Sequence, residues 1–146
     1  MDKKIILLVE DDPQEVVKAT KILREYGFKV MIATNLNEAL EYSKILEGKL
    51  SGIVTDLHFP QMGFDHQKDS ADNPSGFAVI IQALLANVPV VVCSNIDHHF
   101  ADYAQVVIKG LEKISGQPIP FIMDEKNWQR ATEKLMNILP NKEVKE

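Results

Sequence analysis

The chain is 146 residues long, 45% apolar and 25% charged, with a formal net charge of −5. That usage is globular, and a domain near this length hides roughly 70% of its unfolded surface. The acidic balance argues against a nucleic-acid binder. The single cysteine, Cys93, excludes a disulfide framework and a cysteine-rich zinc site. No apolar run exceeds the five residues of Ile5 to Val9, too short for a membrane span or a signal-peptide core. The expectation is a soluble, cytoplasmic, single-domain protein that binds neither nucleic acid nor membrane.

Five short apolar runs have strand length: Ile5–Val9, Val30–Ala33, Ile53–Thr55, Val88–Cys93 and Ile119–Met123. Near-continuous Ile, Val and Leu suit strands buried on both faces of a parallel sheet. After the first run, Val16, Ala19, Leu23 and Tyr26 recur at helical spacing, and Gly27 is a plausible stop. Asn35 precedes a second helix, with Glu38 three residues on as a loose capping box and Gly48 closing the segment. Residues 61–75 are polar and aperiodic, a long connection by ordinary loop lengths. Phe77, Ile80, Ile81, Leu84 and Leu85 form an apolar stripe. Residues 97–116 read as one helix, although Gly110 sits inside it and Val106–Ile108 offers a rival strand. Trp128, Ala131, Leu135 and Ile138 give a last helix that Pro140 ends. Alternating elements of this kind predict an α/β fold: a doubly wound, five-stranded parallel sheet with helices on both faces. Residues 1–140 then form one domain with an insertion at about 61–75, and 141–146 form a polar tail.

In such sheets working groups gather at the carboxyl ends of the strands. The first strand ends at Glu10, Asp11 and Asp12, the third at Asp56 and the fourth at Ser94, while Lys126 lies just past the fifth. Folded together, these carboxylates repel one another and favour a divalent cation, and oxygen-only ligands point to Mg²⁺ or a similar hard ion. On the acidic triplet alone, capping of a helix by Asp12 with solvated neighbours is an equal explanation. Asp56 is harder to dismiss, because it ends a strand expected to be buried.

These residues resemble the receiver domains of bacterial two-component response regulators. Ile5 to Pro13 is similar to that family's first strand and acidic pocket, and Asp56-Leu57-His58-Phe59-Pro60 to its phosphoacceptor segment, with Phe59 in place of methionine. Asn37-Glu38-Ala39-Leu40 resembles the start of its second helix, Ser75-Gly76-Phe77 the entry to its third, and Pro89 to Ser94 its fourth strand. The resemblance implies a flavodoxin-like receiver fold in which Asp56 accepts a phosphoryl group from a histidine kinase or phosphotransfer protein. It implies that Asp11 ligates Mg²⁺ with Glu10, Asp56 and the backbone carbonyl of His58. Ser94 would hydrogen-bond the phosphoryl group and Lys126 would pair with it. It further implies a signalling module, not an enzyme beyond Mg²⁺-dependent self-phosphorylation and self-dephosphorylation. Its output would go to a downstream protein target, since no residues remain for a DNA-binding domain, and a homodimer is among the outcomes.

The departures are specific. Fifteen residues separate Pro60 from Gly76, Asn95 follows Ser94 where the family has a small residue, and Lys126 is followed by Asn127 instead of proline. Lys109 is a rival for the lysine if Val106–Ile108 is the fifth strand. Two other functions stand beside the leading one. A pseudo-receiver would keep the fold as a protein-binding module without phosphorylation. A phosphoaspartate-type phosphatase would need an acid/base aspartate two residues past its nucleophile, where His58 stands. His58, His66, His98 and His99 raise the question of a transition-metal site, though loop histidines are ordinarily just solvated. Cys93 reads as a small core residue.

Overall fold

Each strand of the sheet divides its side chains between two separate cores. A computed structural model describes residues 3–62, 73–95, 98–123 and 125–140, and of 98–101 the backbone. The chain runs β1 (Ile5–Val9), α1 (Pro13–Glu25), β2 (Lys29–Ala33), α2 (Leu36–Ile45), β3 (Leu50–Thr55), α3 (Gly76–Leu85), β4 (Val90–Cys93), α4 (His98–Ser115), β5 (Phe121–Ile122) and α5 (Trp128–Ile138). All pairings are parallel, in the order β2-β1-β3-β4-β5. Leu7 and Val9 of β1 face a core shared with α2, α3 and α4, whereas Ile6 and Leu8 face a core shared with α1 and α5. Val90/Val92 and Val91/Cys93 divide in the same way on β4. Burial on both faces is why these strands read as unbroken apolar runs.

The expected fold class is the observed one, with shifts at element ends. β3 begins at Leu50, three residues before the apolar run, and β5 contracts to Phe121–Ile122. The strand offered at Val106–Ile108 is a correction: those residues lie inside α4, which runs unbroken through Gly110. Ala104 and Ile108 put one face of α4 into the core, while a Cβ at Gly110 would meet nothing within 4 Å, so the glycine faces outward and interrupts no packing. Lys109 therefore sits on a helix rather than at a strand end.

Helix starts follow their capping residues. Asp12 Oδ1 accepts from the Gln14 N–H at 2.9 Å with Pro13 in the first turn, and Asn35 accepts from Glu38 N–H at 2.8 Å. Glu38 turns back to the Thr34 N–H at 2.9 Å, so the second half of the capping box reaches one residue further than expected. Gly27 follows α1 with φ +92°, a left-handed conformation that suits a helix stop without a Cβ.

The connection after β3 is pinned at both ends. Phe59 is fully buried, its N–H donates to Asn73 O at 3.1 Å, and Ser75 Oγ donates to Phe59 O at 2.9 Å. Pro60 and Gln61 carbonyls accept the first two N–H groups of α2, each at 3.0 Å. The insertion expected at about 61–75 falls mainly on 63–72, outside the described residues, as does the tail at 141–146.

Candidate functional site

The sheet order reverses between β1 and β3, and the crevice beyond their carboxyl ends is the natural place for a site. There Asp11, Asp56, His58, Ser94 and Lys126 line one cavity of about 420 Å³ together with Asp12, Glu15, Asn95 and Glu125. Backbone bonds hold the two acidic strand ends in line: Glu10 N–H donates to Ala33 O at 3.0 Å and Asp56 N–H to Val9 O at 2.9 Å. Asp12 caps α1, as the simpler reading of the triplet supposed, but of its acidic neighbours only Asp11 keeps part of its surface in solvent. Glu10 is fully buried.

Lys126 closes the crevice from the other side. Its ammonium donates to Glu10 Oε1 at 2.9 Å, Glu10 Oε2 at 3.0 Å and Asp56 Oδ2 at 3.0 Å. The other oxygen of Asp56, Oδ1, accepts the Leu57 N–H at 2.6 Å, and Glu10 Oε2 also accepts the Asp12 N–H at 3.0 Å. Reaching this position bends the chain: Glu125 and Lys126 have φ of +50° and +47°. Two consecutive left-handed residues cost about 1–3 kcal/mol each, and the three charge-assisted bonds of the ammonium offset that strain. Asn127 then caps α5, its Oδ1 accepting from Arg130 N–H at 3.0 Å. The missing proline after Lys126 thus has a local reason.

The electrostatics are those of a crowded acidic site. Burial, then the charge of Asp56, push Glu10 up to about 7 against the pull of Lys126. Asp11 is raised for the same two reasons in the same order. Lys126 moves the opposite way to a simply buried amine: Asp56 and Glu10 together outweigh its desolvation and raise it. One ammonium does not balance this group of carboxylates.

One ligand oxygen each from Glu10, Asp11 and Asp56 lie within 4.8 Å of one another. That oxygen-only donor set, in which Glu10 and Asp11 are both raised by desolvation and by the charge of Asp56, fits a hard divalent cation. Among the described residues no histidine joins the group, and His66 and the side chains of His98 and His99 lie outside them. Cys93 is buried, and burial holds its thiol well above the ordinary range, so it is a core side chain.

No protein-family model matches the chain, and no curated protein matches it. Solved structures do. A response regulator receiver domain protein from Clostridium thermocellum superimposes with a TM-score of 0.70 at 15% identity, covering 97% of this chain and 98% of that one. A response regulator receiver protein from Sinorhizobium medicae gives 0.64 at 21% identity, over 93% and 96%. The chemotaxis protein CheY4 of Vibrio cholerae gives 0.65 at 17%, over 94% and 100%. The fold is the receiver fold.

Within this receiver fold two features of the crevice escaped the sequence. Glu15, in the first turn of α1, lines the cavity and accepts the Trp128 indole N–H at 2.8 Å, tying α1 to α5 beside the site. Its place three residues after the capping Asp12 was the available signal. Glu125 adds a carboxylate to the wall, a position fixed by a left-handed turn that carries no glycine to announce it.

Proposed function

We propose that this chain is a phosphoacceptor receiver of a two-component phosphorelay, phosphorylated on Asp56 by a histidine kinase or phosphotransfer protein in the cytoplasm. The observation that carries the reading is the convergence of Asp56, Glu10 and Lys126 within 3.0 Å contacts at the strand ends, with Asp11 and Ser94 on the same cavity. Glu10, Asp11, Asp56 and the His58 carbonyl would hold Mg²⁺, which when bound neutralises charge on the transferring phosphoryl oxygens. One carboxylate oxygen of Asp56 attacks phosphorus in line, and the P–N bond to the donor imidazole breaks with its electron pair leaving on nitrogen. Lys126, already on Asp56, pairs with the new phosphoryl oxygens, and the Ser94 hydroxyl donates to another. Ser94 directly follows β4 and its N–H is tied to Ile122 O at 2.9 Å, so a shift there reaches β5. A local charge change biasing a two-state element suffices for a signal read by a downstream protein.

Amide chemical shifts with Mg²⁺ and beryllofluoride, a phosphoryl mimic, test this. Shifts around Asp56 that spread to β4 and β5 in wild type, and stay local in Ser94→Ala, are expected. Without any Mg²⁺-dependent shift near Asp56, the chain is instead a pseudo-receiver that binds protein without phosphorylation.

A further inference from the structure

Residues 73–96 contain no Asp, Glu, Lys or Arg, although a quarter of the whole chain is charged. Buried β4 accounts for only four of those residues, and α3 lies on the surface. Its ten residues include one polar side chain, Gln82, and the helix turns apolar groups outward: Ile81 is 44% exposed and Leu85 77%. A helix apolar all round is ordinarily covered on every side. Beside it, α2 exposes Ile45 at 64%.

Because the strands are parallel, α2 and α3 both run back from the carboxyl end of the sheet, and their last turns meet at its amino end, away from Asp56. There the two helices flank a groove of about 400 Å³ whose apolar walls come from Leu40, Leu46, Ile53, Ala83 and Val88. One face thus carries both protruding aliphatic side chains and a cleft able to receive one. An interface across a two-fold axis must be self-complementary in this way, since the same patch serves both sides. Charge points to the same occupant. Two identical chains of net charge −5 repel, and side chains near the axis meet their own copies, so only an uncharged patch avoids like-charge pairs there. A foreign partner carries no such restriction. The groove rim holds one charge of each sign, Lys44 and Glu47, which lets each copy pair with the other away from the axis.

We propose that a second copy of this chain docks on the α2–α3 face, with Leu85 of each protomer entering the other's groove. The inference does not depend on phosphorylation of Asp56. Sedimentation and light scattering of the full chain, from micromolar to near-millimolar concentration, should show the mass rising from 16.4 kDa towards twice that value. Leu85→Lys with Ile45→Lys should return it to monomer with an unchanged circular dichroism spectrum and melting temperature. A conservative variant guards against misfolding. The native Cys93 is fully buried, so copper-phenanthroline oxidation of a mixture of Leu85→Cys and Leu40→Cys chains should link the two to each other across the groove and leave Val17→Cys chains, exposed on α1, unlinked. Wild type that stays monomeric throughout overturns the proposal. So does a dimer that survives the double lysine variant while Leu85→Cys fails to link to Leu40→Cys.

Discussion

Lys126 grips both carboxylate oxygens of Glu10, at 2.9 and 3.0 Å, although 116 positions separate the two residues. Glu10 is fully buried and the lysine side chain is 13% exposed, so the pair is shielded from water. Removing one partner strands a charge inside the protein, which costs about 3–5 kcal/mol. Lys126→Ala should therefore destabilise the cation-free protein by that order. Lys109→Ala, on the surface of α4, should stay within about 0.5 kcal/mol. Urea titrations of both variants give the comparison.

Stability and cation binding should depend on pH in opposite senses. Glu10 has a folded pKa of about 7, above its ordinary 4.5, so the folded state holds the extra proton between those values. Its stabilising contribution is complete below about 4.5 and is lost as pH rises through about 7. Cation-free protein should therefore unfold at lower urea near pH 8 than near pH 5 as far as this group is concerned. Mg²⁺ needs the ionised carboxylate, so its affinity should rise over the same interval, and added Mg²⁺ should cancel the loss. Isothermal titration at several pH values checks the affinity.

Asp11→Ala separates the two effects. Asp11 is raised by desolvation and by Asp56, so it opposes the folded state when ionised and no cation is bound. The variant should be more stable than wild type at pH 8 without Mg²⁺, and should lose most of its Mg²⁺ affinity. Reduced stability with full affinity would show that the three carboxylates do not share an ion.

Gly76 should resist replacement by any residue with a side chain. A Cβ there would stand 2.5 Å from Asp56 O and 2.7 Å from Leu57 Cα, while Gly76 N–H donates to Leu57 O at 2.8 Å. Both contacts are backbone atoms, which cannot rotate away. Gly76→Ala should cost about 2–3 kcal/mol and displace the Asp56–Leu57 peptide, slowing phosphorylation as well. Melting curves and phosphorylation rates measured on one preparation test both parts.

The sheet was legible because each strand is buried on two faces, and a parallel order then brings Glu10, Asp56 and Ser94 to one edge. The ends of β3 and β5 were not, because pairing with a neighbour, and not side-chain pattern, decides where a strand stops. Lys126 was visible as a strand-end lysine. Its grip on Glu10, and the left-handed turn that permits it, were invisible because residues 125–127 (Glu-Lys-Asn) carry neither glycine nor proline. Gly110 invited a break in α4 that never occurs, since an outward-facing glycine weakens a helix without ending it.

Under the proposed function, Asp56 accepts a phosphoryl group. Intact-mass spectrometry after incubation with acetyl phosphate and Mg²⁺ tests it most directly, on wild type and Asp56→Asn, with chelator as a control. A mass gain of one phosphoryl group is expected in wild type, none with chelator and none in Asp56→Asn, whose near-isosteric amide keeps the fold. An unmodified wild type, or an Asp56→Asn protein that gains the same mass, would contradict it.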